Sequence, residues 1–181
     1  MGMSQSSSNF ASFGAFFFTV CLARRGSDLL VSEIDTLRWA VAETRAASPF
    51  EVLAWVVLPD HMHAIWRLPE GETAYARRWT AIKGRFSQAV YAGGQAPELS
   101  AKIARGEMGI WQNRQWTHEV TSMVDMQRFL KLCRWAPVNA KLVRMPEDWE
   151  FSSFHRQKTC PASRYGSGMA PVWEMSAGQR A

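Results

Sequence analysis

The chain has 181 residues, of which 47% are hydrophobic and 20% are charged, as is typical of a single folded domain with its own core. No apolar run reaches the roughly 18 residues that cross a membrane, and three widely spaced cysteines argue against a disulfide framework or a zinc ribbon. The net charge of +5 favours an anionic partner, nucleic acid above all, although a solvated basic face would have the same composition.

The N-terminal part of the chain predicts a tail, a strand and a helix. Residues 1–13 are rich in Ser and carry no basic stretch of a secretory signal, so we expect a mobile tail on a cytoplasmic protein without membrane contact. Residues 15–22 are aromatic and β-branched, which is typical of a buried strand. From Ser32, placed as the N-cap, to residue 46, apolar residues recur at helical spacing.

The middle of the chain predicts a hairpin and a second helix. Residues 50–58 and 61–68 are β-rich runs separated only by Pro59 and Asp60, so we expect them to pair as an antiparallel hairpin. Apolar residues at helical spacing from residue 75 to residue 90 then predict a helix that ends at Gly93.

The last part of the chain is less regular. Residues 95–109 predict a loop with at most one short helix, residues 111–120 predict a final strand or an ordered loop, and residues 124–135 predict a helix that Pro137 ends or kinks. This order of elements predicts an α+β fold, a ferredoxin-like split-βαβ antiparallel sheet with helices packed on one face. We expect this domain to span residues 14–159, followed by a Gly-, Ser- and Pro-rich tail over residues 160–181.

Two histidines, His61 and His63, alternate on the second strand of the predicted hairpin, so both side chains project from one face of the sheet. Two imidazoles at this spacing can share one divalent ion. The plainer alternative is a pair of half-exposed sheet histidines that bind nothing, since neither His118 nor His155 stands at ligand spacing from the pair.

Around these histidines the chain closely resembles the REP-associated tyrosine transposases, relatives of the single-tyrosine HUH transposases. The segment with the closest likeness is residues 54–66, which read Ala-Trp-Val-Val-Leu-Pro-Asp-His-Met-His-Ala-Ile-Trp. Further matches fall in family order over residues 17–20, 79–86, 110–118, 146–156 and 176–178. The resemblance implies that His61 and His63 hold Mg²⁺ or Mn²⁺ against the scissile phosphate of single-stranded or hairpin DNA.

The resemblance also implies a tyrosine nucleophile on the last helix, where the family motif reads Tyr-x-x-x-Asn-Pro-Val. The matching stretch here places Leu132 at the tyrosine position and Ala136 at the position of the asparagine, the third metal ligand. Leucine cannot attack phosphorus, and alanine offers no lone pair to a metal. The alternative is that Tyr75, Tyr91 or Tyr165 takes over as the nucleophile.

The basic and aromatic residues of the two later helices and of the segment between them predict a DNA-binding surface. Lysine and arginine neutralise phosphates, and tryptophan stacks on unpaired bases. A solvated basic face and two core tryptophans are the plainer alternatives, and for the tryptophans we favour the core. The candidates are Arg77, Arg78, Lys83, Arg85, Trp111, Arg114, Trp116, Lys131 and Arg134.

Three functions remain open from the sequence. The first is a relative of these transposases that binds single-stranded or hairpin DNA but has lost strand cleavage and transfer. The second is an active strand-transfer enzyme that uses another nucleophile or a metal-activated water. The third is a decaying remnant without function. For the oligomeric state, both a monomer and a homodimer remain open.

Overall fold

The architecture comes from a computed structural model that describes residues 14–93 and 109–155. The predictions for residues 1–13, for most of 95–109 and for 160–181 fall outside these ranges. Within them the elements, in chain order, are β1 Ala15–Cys21, α1 Leu29–Ser32, α2 Ile34–Ala47, β2 Glu51–Val57, β3 His61–Arg67, α3 Tyr75–Ala92, β4 Trp116–Val120, α4 Met123–Asn139 and a 3-10 turn Pro146–Asp148.

The four strands form one sheet in the order β2-β3-β1-β4, and all neighbouring strands are antiparallel. Each βαβ unit leaves a gap that a strand from the other unit fills, so the predicted split-βαβ topology is confirmed. The predicted hairpin of β2 and β3 is also confirmed, and its turn closes with a hydrogen bond of 2.8 Å from Leu58 N–H to the carbonyl of His61.

Both faces of the sheet are buried, because successive side chains of a strand point to opposite sides. Phe16 and Phe18 of β1 pack into the core beneath α2 and α3, whereas Phe17 packs into a second core with residues of α4. The prediction that helices pack on one face is therefore wrong for α4. An unbroken apolar run such as residues 15–18 leaves no polar face for water, so both faces need a cover.

Two predicted helix boundaries differ from the structure. Ser32 is not an N-cap but the last residue of the short helix α1, where its hydroxyl donates to the carbonyl of Leu29 at 3.2 Å. Pro137 does not end α4, which continues to Asn139. A proline this close to the end of a helix removes a single backbone hydrogen bond, so the last turn still forms.

Residues 111–120 contain both an ordered loop and a strand, the two alternatives predicted for this segment. Trp111 makes an isolated bridge to Leu22, and the strand β4 begins only at Trp116. In the part of the chain that the structure describes, no helix is long and apolar enough to span a membrane.

The chain after α4 folds back along the free edge of β2. Ser152 bridges Val56, and the indole N–H of Trp149 donates to the carbonyl of Val57 at 2.7 Å. These contacts occupy backbone groups that an edge strand would otherwise expose. The side of the sheet beneath α4 is thereby closed at β2, and it stays accessible at the opposite edge, β4, where Trp116 is exposed.

Candidate metal and nucleic-acid site

The histidines of β3 lie on the α4 side of the sheet. In the β1–β3 register Thr19 stands opposite His63 and Cys21 opposite His61, and their neighbour Ile65 packs into the core that α4 covers. The two imidazole centroids are 5.3 Å apart. The expectation that one face of the sheet carries both rings is thus met by the register.

Each imidazole has a partner at its Nδ1 atom. Nδ1 of His61 donates to Oδ1 of Asp60 at 2.6 Å, and Nδ1 of His63 lies 2.9 Å from the hydroxyl of Thr19. A partner at one ring nitrogen fixes the orientation of the ring and directs the other nitrogen to the site. The Nε2 atoms are therefore the nitrogens with which His61 and His63 can bind an ion or a phosphate.

Burial, and to a smaller extent the nearby imidazole of His61, together lower the pKa of His63 to about 4. A buried imidazole with so low a pKa is neutral at physiological pH and keeps the lone pair that a metal requires. The ring also stacks against Phe17, with the centroids 5.6 Å apart, which accounts for its dry surroundings.

The low pKa of His63 predicts a loss of stability in mild acid. The unfolded chain takes up a proton at this residue near pH 6.5, whereas the folded chain does so only near pH 4. The unfolded state therefore binds more protons between these values, and the free energy of unfolding should fall by about 3 kcal/mol as the pH drops from 7 to 4.

This prediction is checked by urea unfolding of the metal-free protein and of His63→Gln across that pH range. The substituted protein should lack the part of the pH dependence that His63 contributes, and NMR titration should give His63 a pKa near 4. A His63 that titrates near 6.5 would contradict the prediction.

A divalent ion would have two protein ligands in this site. Among residues 14–93 and 109–155, no group of three His, Cys, Asp or Glu side chains is arranged to hold a metal. The position at which the sequence predicts a third ligand is Ala136, whose methyl group is buried in the core beneath α4. The two imidazoles fit an ion whose other ligands are water and phosphate oxygens, and such a site binds weakly.

Helix α4 is fixed over the sheet by Phe129. Its ring stacks on Phe17 at a centroid distance of 4.3 Å, and Phe17 in turn stacks against His63. Leu132 follows Phe129 by three residues and precedes Ala136 by four, so it lies on the same side of the helix, and its side chain is 37% exposed. A leucine and an alanine thus occupy the two positions on this side of α4 that the resemblance assigns to the nucleophile and the third ligand.

The tyrosines within the described ranges lie on the other face of the sheet. Tyr75 packs against Phe16 and Phe18, with centroid distances of 5.0 and 5.4 Å, in the core beneath α2 and α3. Tyr91 packs against the same core. Tyr165 falls outside the described residues. Rescue of the missing nucleophile by Tyr75 or Tyr91 would therefore require the phenol to cross the sheet.

An aromatic ledge extends from the histidines toward the edge strand β4. We use this name for Trp116 and His118, which stack at a centroid distance of 5.7 Å, with Trp116 against Phe17 at 5.5 Å. Trp116 is 53% exposed. Trp111, in contrast, is buried in the first core and donates its indole N–H to the carbonyl of Lys83 at 3.2 Å. Trp116 can therefore stack on a base, and Trp111 cannot.

The basic residues of α3 lie on the far side of the sheet from the histidines, because α3 packs on the other core. Arg78 is buried, with its guanidinium held by Glu72 at 2.6 Å and by the carbonyl of Pro49 at 2.9 Å. Its predicted role in DNA binding is wrong, since these internal partners take up its donors. No sequence signal marks this burial, since the partners of Arg78 at residues 48 and 49 come from a distant part of the chain.

The other predicted α3 residues differ in accessibility. Arg77 is exposed, while Lys83 donates to the carbonyl of Gln112 at 3.2 Å, and burial lowers its pKa. Arg85 donates to the hydroxyl of Thr44 at 3.2 Å and so ties α3 to α2. Lys83 and Arg85 thus both have internal partners.

The basic residues near α4 are better placed for an anionic partner. Lys131 and Arg114 are exposed, and the guanidinium of Arg128 lies over the ring of Phe129 at 5.8 Å from its centroid. Arg134 is partly buried and forms an ion pair with Glu147, which connects α4 to the 3-10 turn. Its role is at least partly structural.

Three residues at the site escaped the sequence analysis as functional candidates. Asp60 and Thr19 contact the histidines, and Arg25 lies 3.4 Å from the carboxylate of Asp60. The position of Asp60 immediately before His61 was a usable signal. No signal marks Thr19 or Arg25, because their positions depend on the pairing register of β1 and β3.

The chain has clear relatives, although no protein-family model matches it. It is 36% identical over 173 residues to a REP-associated tyrosine transposase of Escherichia coli (strain K12), with 92% of each chain covered. A relative from Haemophilus influenzae is 33% identical over 159 residues, which cover 85% of this chain and 87% of the relative. A solved structure of a REP-associated tyrosine transposase bound to a REP hairpin matches with a TM-score of 0.67 and 35% identity, covering 99% of both chains.

Proposed function

Since the chain belongs to the family of REP-associated tyrosine transposases, we propose that it binds hairpin or single-stranded DNA and does not cleave it. The proposed binding surface is the histidine face, our name for the α4 side of the sheet that carries His61 and His63. Support for DNA as the partner comes from the relative that is bound to a REP hairpin, because the match extends over 99% of both chains. The net charge of +5 agrees with an anionic partner.

We infer the loss of cleavage from the identity of the side chain at position 132. In the family motif a tyrosine attacks the phosphate from this place, and Leu132 has no nucleophilic atom. Tyr75 and Tyr91 pack in the core on the opposite face of the sheet from His61 and His63. With this arrangement, no tyrosine of the described residues lies on the side of the sheet where the covalent intermediate would form.

The ion is a finer part of the proposal. His61 and His63 would hold Mg²⁺ or Mn²⁺ through their Nε2 atoms. A bound ion would neutralise the charge of a DNA phosphate at this place. Because none of the side chains within residues 14–93 and 109–155 replaces the third ligand at Ala136, we expect weak binding and DNA affinity that depends only slightly on the ion.

The proposal is tested by fluorescence anisotropy of a labelled REP hairpin taken from the genome that encodes the chain, at several salt concentrations. We expect affinity that decreases steeply with salt and exceeds the affinity for an unstructured strand of the same composition. Equal and weak binding to both oligonucleotides would contradict DNA recognition and would favour a remnant without function.

Trp116→Ala should weaken binding of the single-stranded part of the DNA. Loss of one base stacked on an indole costs about 1–3 kcal/mol, which raises the Kd roughly 5- to 150-fold. Trp39→Ala is the matched control, because Trp39 is 48% exposed and lies on α2, on the other side of the sheet. If both variants bind like the wild type in the anisotropy assay, Trp116 does not contact a base.

A further inference from the structure

The turn between β2 and β3 holds Asp60 in a fixed position next to the histidines. The carbonyl of Asp60 accepts from Leu22 N–H at 2.8 Å, and the carbonyl of Pro59 accepts from Leu30 N–H at 3.1 Å. The backbone of the turn is thus bound to the end of β1 and to the start of α1. The side chain of Asp60 therefore starts from a fixed backbone and can hold neighbouring side chains in place.

The carboxylate of Asp60 has three partners. Oδ1 accepts from Nδ1 of His61 at 2.6 Å, while Oδ2 accepts from Gly26 N–H at 2.9 Å and lies 3.4 Å from Nε of Arg25. Burial raises the pKa of this carboxyl. The hydrogen bonds from His61 and Gly26 and the charge of Arg25 outweigh burial, so its pKa lies below the ordinary value and the group is ionised.

Residues 23–26 form a turn that carries Arg25 to the rim of the site. Gly26 has a φ of +73°, a left-handed conformation that a residue with a side chain adopts with strain. The side chain of Arg25 is 65% exposed, and the side chain of Asp60 is only 14% exposed. The ion pair uses Nε of Arg25, and Nη1 has only a distant contact, 3.9 Å from Sγ of Cys21.

We propose that Asp60 is a positioning residue that fixes the ring of His61 and holds Arg25 on the same carboxylate as His61, where its guanidinium binds a DNA phosphate. This inference rests on the proposed DNA binding at the same site. A guanidinium is planar by delocalisation, and with Nε paired to Asp60 its two Nη groups remain to donate to phosphate oxygens. Asp60 thus links Arg25, which would bind the DNA backbone, to His61, which would bind the ion.

The role of Asp60 is tested without DNA by the tautomer of His61. An ionised carboxylate accepts from both His61 and Gly26, so NMR of the ring nitrogens should show a proton on Nδ1 and a bare Nε2 in the wild type. The amide of Asp60→Asn has one accepting oxygen. Because Gly26 N–H can only donate, we expect His61 to accept from the amide and move its proton to Nε2.

A wild-type His61 with its proton on Nε2, or an unchanged tautomer in Asp60→Asn, would overturn the positioning role. Asparagine is nearly isosteric with aspartate, and circular dichroism shows whether the variant keeps the fold. Because neither measurement needs DNA, this part stands or falls independently of the proposed function.

The role of Arg25 is tested by Arg25→Ala in the hairpin anisotropy assay. Loss of one phosphate contact should lower the slope of log affinity against log salt by about 0.7–0.9 and weaken binding several-fold at low salt. Arg38→Ala is the matched control, because Arg38 is an exposed arginine with one ion pair, to Asp35, on α2.

The outcomes distinguish a failure of the phosphate contact at Arg25 from a failure of the proposed DNA binding. Wild-type binding with equal slopes for Arg25→Ala and Arg38→Ala would overturn the phosphate contact at Arg25 and leave the proposed function intact. A wild type that does not distinguish the hairpin from an unstructured strand would overturn the proposed function, and the phosphate contact at Arg25 with it.

Discussion

Introducing the two family side chains, by Leu132→Tyr together with Ala136→Asn, should give the protein a covalent DNA adduct that we do not expect from the natural chain. The two positions are one helical turn apart on the side of α4 that carries Phe129, whose ring connects through Phe17 to His63. Tyrosine supplies the attacking oxygen, and the amide oxygen of asparagine supplies a third protein ligand for the ion beside the two imidazole nitrogens. We expect adduct formation to rise by roughly 10³-fold or more over the wild type.

The measurement is a denaturing gel of labelled hairpin DNA incubated with protein and Mn²⁺, in which a covalent adduct migrates with the protein. The matched control is Leu132→Phe with Ala136→Asn, which has the same ring and ligand and lacks only the phenol oxygen. An inert double variant that still binds the hairpin would contradict the assignment of position 132 to the nucleophile.

Phe129→Ala should destabilise the domain by about 3–5 kcal/mol, the cost of removing a large buried ring and leaving a cavity. Phe129 is buried between α4 and the sheet, and its ring lies within 5.0 Å of the ring centroids of both Phe17 and His118. Loss of this ring should also loosen α4 over the histidine face, so hairpin affinity should fall with stability.

The free energy of unfolding is measured by urea denaturation at neutral pH. Val124→Ala, on the same helix, is the control, because Val124 is 74% exposed and its truncation should change stability by less than about 0.5 kcal/mol. A loss at Phe129 as small as the loss at Val124 would show that α4 is not held by this contact.

The sheet could be predicted from the sequence because each strand carries its own local signal. Residues 15–18 form an unbroken apolar run, and the hairpin is marked by Pro59 and Asp60 between two β-rich segments. The same apolar run has no polar side, so it already indicated that other elements pack on both faces of the sheet. The prediction that helices pack on one face did not use this signal. The position of α4 follows from this requirement.

The details of the site could not be predicted, because they depend on contacts between distant parts of the chain. The partner of His63 is Thr19, 44 residues earlier, and only the register of β1 and β3 brings them together. The guanidinium of Arg78 is held inside the protein by Glu72 and three backbone carbonyls. Periodicity alone places an arginine on the polar side of a helix, where a phosphate contact is the expected role.

Binding without cleavage is tested most directly with the natural protein, a REP hairpin with unpaired flanks, and Mn²⁺ or Mg²⁺. One reaction is analysed on a native gel for complex formation and on a denaturing gel for cut strands and covalent adducts. The account predicts a shifted complex with intact, uncrosslinked DNA. A cut strand or a protein–DNA adduct from the natural chain would contradict it, because some group other than the side chain of Leu132 would then be attacking the phosphate.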